Sequence, residues 1–136
     1  MSVVEYGGKT DTYEWTQTKD EVTVTLKVPA NLKARDFVSK MERKALEFGV
    51  KGQAPLVKGT LPKTIKVAES TWTKEGDTVE ISLSKEKLQN VADPDKEEWW
   101  DCLVEEDKDK EGGAIDAELI EASKYLDEGL LKQVKA

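Results

Sequence analysis

Apolar and polar residues alternate most regularly in DEVTVTLKVP, where Val22, Val24, Leu26 and Val28 fall on one face and Thr23, Thr25 and Lys27 on the other. Period two is the mark of a half-buried strand. Pro29 ends it, because proline has no N–H for a ladder. Just upstream, YEWTQT sets Tyr13, Trp15 and Gln17 against Glu14, Thr16 and Thr18, which predicts a second strand. Residues 1–10, with Gly7-Gly8 and little periodicity, read as a flexible lead.

After the polar connection NLKARD, the segments Phe37–Glu42 and Ala45–Val50 read as two short strands. A helix over Ala34–Phe48 competes, since Lys, Arg, Glu, Met, Leu and Ala are good helix formers; strands are preferred. Lys51–Pro55 makes a turn, PLVKGTLP a short strand closed by Pro62, and TIKVAE a further strand through Ile65 and Val67. STWTKEGDTVEISLSK reads as a hairpin turning near Glu75-Gly76-Asp77, with Val79, Ile81 and Leu83 buried on the return. The expected fold is all-β, an antiparallel sandwich of about seven or eight short strands.

Beyond Leu83 the pattern changes. EKLQNVADPDKEE is polar and turn-rich, with one helical turn expected. EWWDCLV, taken as a strand, puts Trp100, Cys102 and Val104 on a wholly apolar face and Trp99, Asp101 and Leu103 on the other. EEDKDKEGG reads as a solvated charged linker. Ile115, Leu119, Ala122, Leu126 and Leu130 recur near helical spacing, predicting a short C-terminal helix over Ile115–Val134.

Composition narrows the function. A length of 136 residues predicts one domain. No apolar run approaches the roughly 18 residues of a membrane span, and MSVVEYGGKT lacks a signal-peptide pattern, so a cytoplasmic protein is expected, with the nucleus as a second compartment. The chain has no histidine and one cysteine, Cys102. That removes Ser-His-Asp and Cys-His nucleophiles, intrachain disulfides and the usual zinc ligand sets. A net charge of −7 argues against a nucleic-acid binder. The 28 acidic residues fall on exposed faces and in loops, and neither DPDKEE nor EEDKDKE has the spacing of a calcium loop. GVKGQAPLVKG has glycines but no phosphate-loop pattern. No catalytic set, cofactor site or metal site is expected.

The remaining signal is aromatic. Trp15, Trp72, Trp99 and Trp100 are many for one small core, and tryptophan is enriched in binding hot spots. One of Trp99 and Trp100 is expected to close the core. The other, with Trp15 or Trp72, is expected to form a partner-facing rim. Lys51, Lys58, Lys63 and Lys66 lie around the middle turns, where they read either as a basic patch for an acidic partner or as scattered solubilising charge.

The stretch YEWTQTKDEVTVTLKVP resembles the opening of a CS domain, a β-sandwich carried by co-chaperones and shared in architecture with the HSP20-like small heat-shock proteins. The block GVKGQAPLVKGTLPKTIKVAESTWTKEGDTVEISLSK, followed by EWWDCLVEED, resembles the NudC (nuclear movement protein) family. The matching features are Lys51-Gly52, Gly59 with Leu61, Glu69-Ser70 with Trp72, and Glu98-Trp99-Trp100. The resemblance covers residues 11–107, preceded by the lead at 1–10 and followed by linker and helix at 108–136. It implies a non-enzymatic co-chaperone that stabilises clients, β-propeller proteins among them, and is linked to heat-shock protein 90 and to dynein-dependent nuclear movement. A dynein-pathway scaffold without chaperone activity is the alternative. Longer members carry an upstream coiled coil. This chain begins almost at the domain, so a monomer or weak dimer is expected.

Overall fold

The computed structural model describes residues 6–86 and 99–115. Its strands are β1 (Gly8–Lys9), β2 (Glu14–Gln17), β3 (Glu21–Lys27), β4 (Phe37–Glu42), β5 (Ala45–Val50), β6 (Val57–Thr60), β7 (Thr71–Glu75) and β8 (Thr78–Ser84). They form a five-stranded sheet in the order β1-β2-β3-β8-β7 and a three-stranded sheet in the order β4-β5-β6. Every pairing is antiparallel.

The alternation in sequence becomes the inner and outer faces of the larger sheet. Trp15 pairs with Val24, and Val24 with Ile81; Gln17 pairs with Val22, and Val22 with Leu83. All of these side chains are buried. The outer face carries Thr16, Thr23 and Ser82 in one cross-strand row and Glu14, Thr25 and Glu80 in the next. A one-residue slip would exchange these faces and put the hydroxyl and carboxylate rows in the core, so the register is firmly set. The β7–β8 hairpin turns at Gly76-Asp77, where Gly76 takes φ +60°. A tight hairpin needs positive φ there, and glycine meets it without steric cost.

Ala34–Phe48 is strand rather than helix beyond a single 3₁₀ turn at Ala34–Asp36. Tertiary packing overrides helix propensity here. Phe37 and Phe48 stack at 5.4 Å, and Leu46 and Phe48 point into the sandwich with relative exposures of 1% and 0%.

Three expectations need correction. TIKVAE is not a strand. Ile65 makes an isolated bridge to Lys85, and Val67–Glu69 forms a 3₁₀ turn that leaves Val67 exposed. The described part of EWWDCLV, residues 99–104, is not a strand either, and its faces do not alternate: Trp100, Cys102, Leu103 and Val104 are all buried. EEDKDKEGG is not simply solvated. Glu105–Asp107 forms a 3₁₀ turn, Asp107 is buried, and the chain returns so that Ala114 bridges Cys102 and Ile115 N donates to Asp101 O. Residues 99–115 therefore form a strap folded against the sandwich. Gly8–Lys9, within the expected lead, pair with Glu14 and Trp15. The helical turn expected in EKLQNVADPDKEE falls almost wholly, and the C-terminal helix beyond Ile115, outside the described residues.

Candidate protein-interaction site

The two flanks of the sandwich differ. On one flank the strap packs against both sheets. Gln17, at the end of β2, reaches across with its side-chain amide. Nε2 donates to Trp100 O at 2.8 Å, and Trp100 N donates to Gln17 Oε1 at 2.8 Å. The amide thus copies a strand partner and satisfies both backbone groups of a residue that is 0% exposed. Lys85 Nζ donates to the same Oε1 at 2.9 Å and to Thr18 O at 2.7 Å, and stands 5.0 Å from the centre of the Trp99 ring. Further along, Tyr13 Oη donates to Asp107 Oδ2 at 2.8 Å, and Lys110 pairs with the other oxygen of Asp107 at 3.1 Å. Burial and the Asp107 carboxylate push the Tyr13 phenol well above its ordinary pKa. Gly112, at φ +78°, lies on the backbone of β1; a Cβ there would come within 1.8 Å of Lys9 O.

The opposite flank has no strap among the described residues. β4 and β7 end their sheets side by side, each without a strand partner on its outer edge among those residues. Trp72 of β7 bridges them. Its ring meets Phe48 at 4.9 Å and Phe37 at 5.7 Å, both edge to face. It stays half-buried, unlike the two phenylalanines beneath it. Lys74 Nζ donates to Ala30 O at 3.0 Å beside this seam. The flank therefore offers unpaired strand edges over an aromatic floor, the chemistry that accepts an extended peptide.

The residues singled out from sequence do not gather at one place. Trp15 and Trp100 are core residues at 2% and 0% exposure and present no rim. For Trp15 the reason is alternation, since it faces inward with Gln17 on β2 and with Tyr13 just before it. Trp99 is half-buried and meets Tyr6 edge to face at 5.7 Å. Trp72 sits on the open flank. Lys51 is exposed in the turn after β5 and Lys58 is exposed on β6, whereas Lys66 lies before β7 and pairs with Glu69 at 3.3 Å. Lys58 stands across from Glu47, and Glu47 from Lys40, so that row alternates in sign. Sequence reasoning passed over Gln17, Glu106 and Asp107. The signal for Gln17 was a polar residue on an otherwise apolar strand face. Among the described residues, no group of three or more His, Cys, Asp or Glu side chains is placed to hold a metal ion.

Residues 11–85 match the CS domain family. The chain is 39% identical over 102 residues to the nuclear migration protein nudC of Drosophila melanogaster, a match covering 71% of this chain and 28% of that one. It is 37% identical over 98 residues to protein BOBBER 1 of Arabidopsis thaliana, covering 72% and 30%. It is 30% identical over 107 residues to the nuclear movement protein nudC of Dictyostelium discoideum, covering 77% and 58%. The chain thus spans less than two thirds of each of these relatives. Its fold is similar to the solution structure of the CS domain of human KIAA1068 protein, with a TM-score of 0.62 at 24% identity over 81% of this chain and 83% of that one. It is also similar to the nuclear movement protein from E. cuniculi GB-M1, with a TM-score of 0.53 at 22% identity over 68% and 98%. The family match takes in seven of the strands, β2 to β8, and the fold is similar to that of a solved CS domain: the chain belongs to the CS domain family and is similar to nudC proteins.

Proposed function

We propose that this protein is a non-enzymatic co-chaperone of the nudC type, which binds partly unfolded client segments and hands them to a heat-shock protein 90 type chaperone. The observation that carries the reading is the open flank, where half-buried Trp72 lies between the edges of β4 and β7, which have no strand partner among the described residues. Backbone groups of an extended client segment pair with an edge, and one of its apolar side chains packs on the indole. Trp99, with Tyr6 against it, and the exposed lysines Lys51, Lys58 and Lys66 are secondary contact points. The names of the relatives, nuclear migration and nuclear movement proteins, support a role in moving nuclei; dynein-dependent transport in the cytoplasm is the setting this reading proposes for it.

The test is light scattering of a purified heat-labile client at a temperature where the chain stays folded, without ATP. The intact chain is expected to suppress aggregation and Trp72→Ala to lose most of that suppression. Equal suppression by a folded Trp72→Ala would remove the open flank from the reading. Absence of suppression by the intact chain, with retained binding to purified dynein-pathway proteins, would favour the scaffold.

A further inference from the structure

Thr60 ends β6, the last strand of the three-stranded sheet. Its N–H points away from β5 and donates to Glu106 Oε2 at 2.6 Å, while its hydroxyl donates to Glu106 Oε1 at 2.8 Å. The strap lies close over the neighbouring residue too. A Cβ on Gly59 would come within 2.2 Å of Glu106 Oε2 and 2.8 Å of Val104 Cβ. One carboxylate thus takes the place where the carbonyl of an adjoining strand would accept. Along a strand the backbone groups alternate in direction, so Lys58 turns its N–H and C=O the same way as Thr60. An unguarded edge of this kind recruits other strands.

We propose that β6 is a strand-pairing edge kept shut by Glu106, and that its occupant, once Glu106 is removed, is β6 of a second copy of this chain. The strand is built to pair with itself. Pro55 and Pro62 bracket it, so only a short ladder fits. Outward-facing residues must oppose outward-facing ones, which leaves three antiparallel registers. Lys58 opposite Lys58 sets two like charges face to face, which is destabilising. Thr60 opposite Thr60 sets Lys58 against Pro62, which has no N–H. Lys58 opposite Thr60 avoids both faults, and Gly59 then meets Gly59 on the two-fold axis with no side chain to clash. Each Lys58 keeps Glu47 across from it on its own β5. The product is a closed two-fold dimer with one continuous six-stranded sheet, an isologous contact that does not propagate. This inference is independent of what the β4–β7 flank binds.

Sedimentation velocity over a concentration series tests it on the full chain. Glu106 is exposed, so Glu106→Ala leaves the core intact. The unaltered chain is expected to sediment as a monomer. Glu106→Ala is expected to move toward twice the monomer mass as concentration rises, with self-association at least tenfold stronger. Adding Thr60→Pro, which removes the outward N–H and leaves the β5 ladder untouched, is expected to return the monomer. Hydrogen exchange gives a second readout. In Glu106→Ala the amides of Lys58 and Thr60 should exchange fast when dilute and become protected when concentrated. A folded Glu106→Ala that stays monomeric, or a dimer whose Lys58 and Thr60 amides gain no protection, would overturn the proposal.

Discussion

The phenol of Tyr13 donates to the buried carboxylate of Asp107, across 2.8 Å in space and 94 residues in sequence. This bond ties the strap to the residue that leads into β2. Tyr13→Phe removes the donor and leaves a buried carboxylate oxygen without it. Losing one partner of such a pair costs about 1–3 kcal/mol. Urea unfolding followed by tryptophan fluorescence should show the midpoint falling with little change in slope, whereas an unshifted midpoint would mean that water replaces the phenol freely.

Gln17→Leu should be costlier than its surface chemistry suggests. The substitution keeps the volume but strips both partners from the backbone of Trp100 and one acceptor from Lys85. Each orphaned group adds about 1–3 kcal/mol. The same unfolding assay should place Gln17→Leu below Tyr13→Phe; the reverse order would show that the amide is dispensable.

The adjacent tryptophans should separate cleanly. Trp100 is 0% exposed, and Trp100→Ala should cost about 3–5 kcal/mol by opening a core cavity. Trp99→Ala gives up mainly an edge-to-face contact with Tyr6 and the Lys85 cation, worth about 1 kcal/mol each. Thermal melts of the two variants side by side measure the difference, and near-equal losses would contradict the assigned burial.

Alkaline pH should loosen the domain in two steps. Burial first, and the nearby Asp101 second, push the Cys102 thiol up from 9.0 to about 12. A raised folded value means that the neutral form is favoured in the native state. Its stabilisation is complete below about pH 9 and is lost as pH rises from 9 toward 12. Tyr13 acts in the same direction with a later onset, above its ordinary 10.0. Calorimetric melting temperatures should therefore hold up to about pH 9 and then fall. Cys102→Ala should flatten the first part of the decline and leave the later part; an unchanged profile would remove Cys102 from it.

Much of the sandwich was legible in the chain because period-two patterning and turn chemistry are local. Val22 to Val28, Val79 to Leu83, and Gly76 at the hairpin declare themselves within a few residues. The strap was not legible, and the reason is physical. Its polar residues are stabilised by partners far away in sequence: Asp107 by Tyr13, Glu106 by Thr60, Trp100 by Gln17. Read alone, EEDKDKEGG has the composition of a solvated run. The tryptophans divided along the same line. The burial of Trp15 follows from the alternation of its own strand, while the seat of Trp72 depends on Phe37 and Phe48 in the other sheet.

The pairing of Gln17 with Trp100 also has a consequence for the order of events at the ribosome. β2 is synthesised before the strap, and its inward-facing amide finds its partner only after Trp100 has emerged. Until then the nascent sheet holds a polar side chain on its apolar face, and the strap that covers β6 has yet to be translated. Both sheets can begin to pair during synthesis, but the folded unit closes only when the last turns of the strap leave the exit tunnel. A chain stalled short of that point is itself an unfinished client.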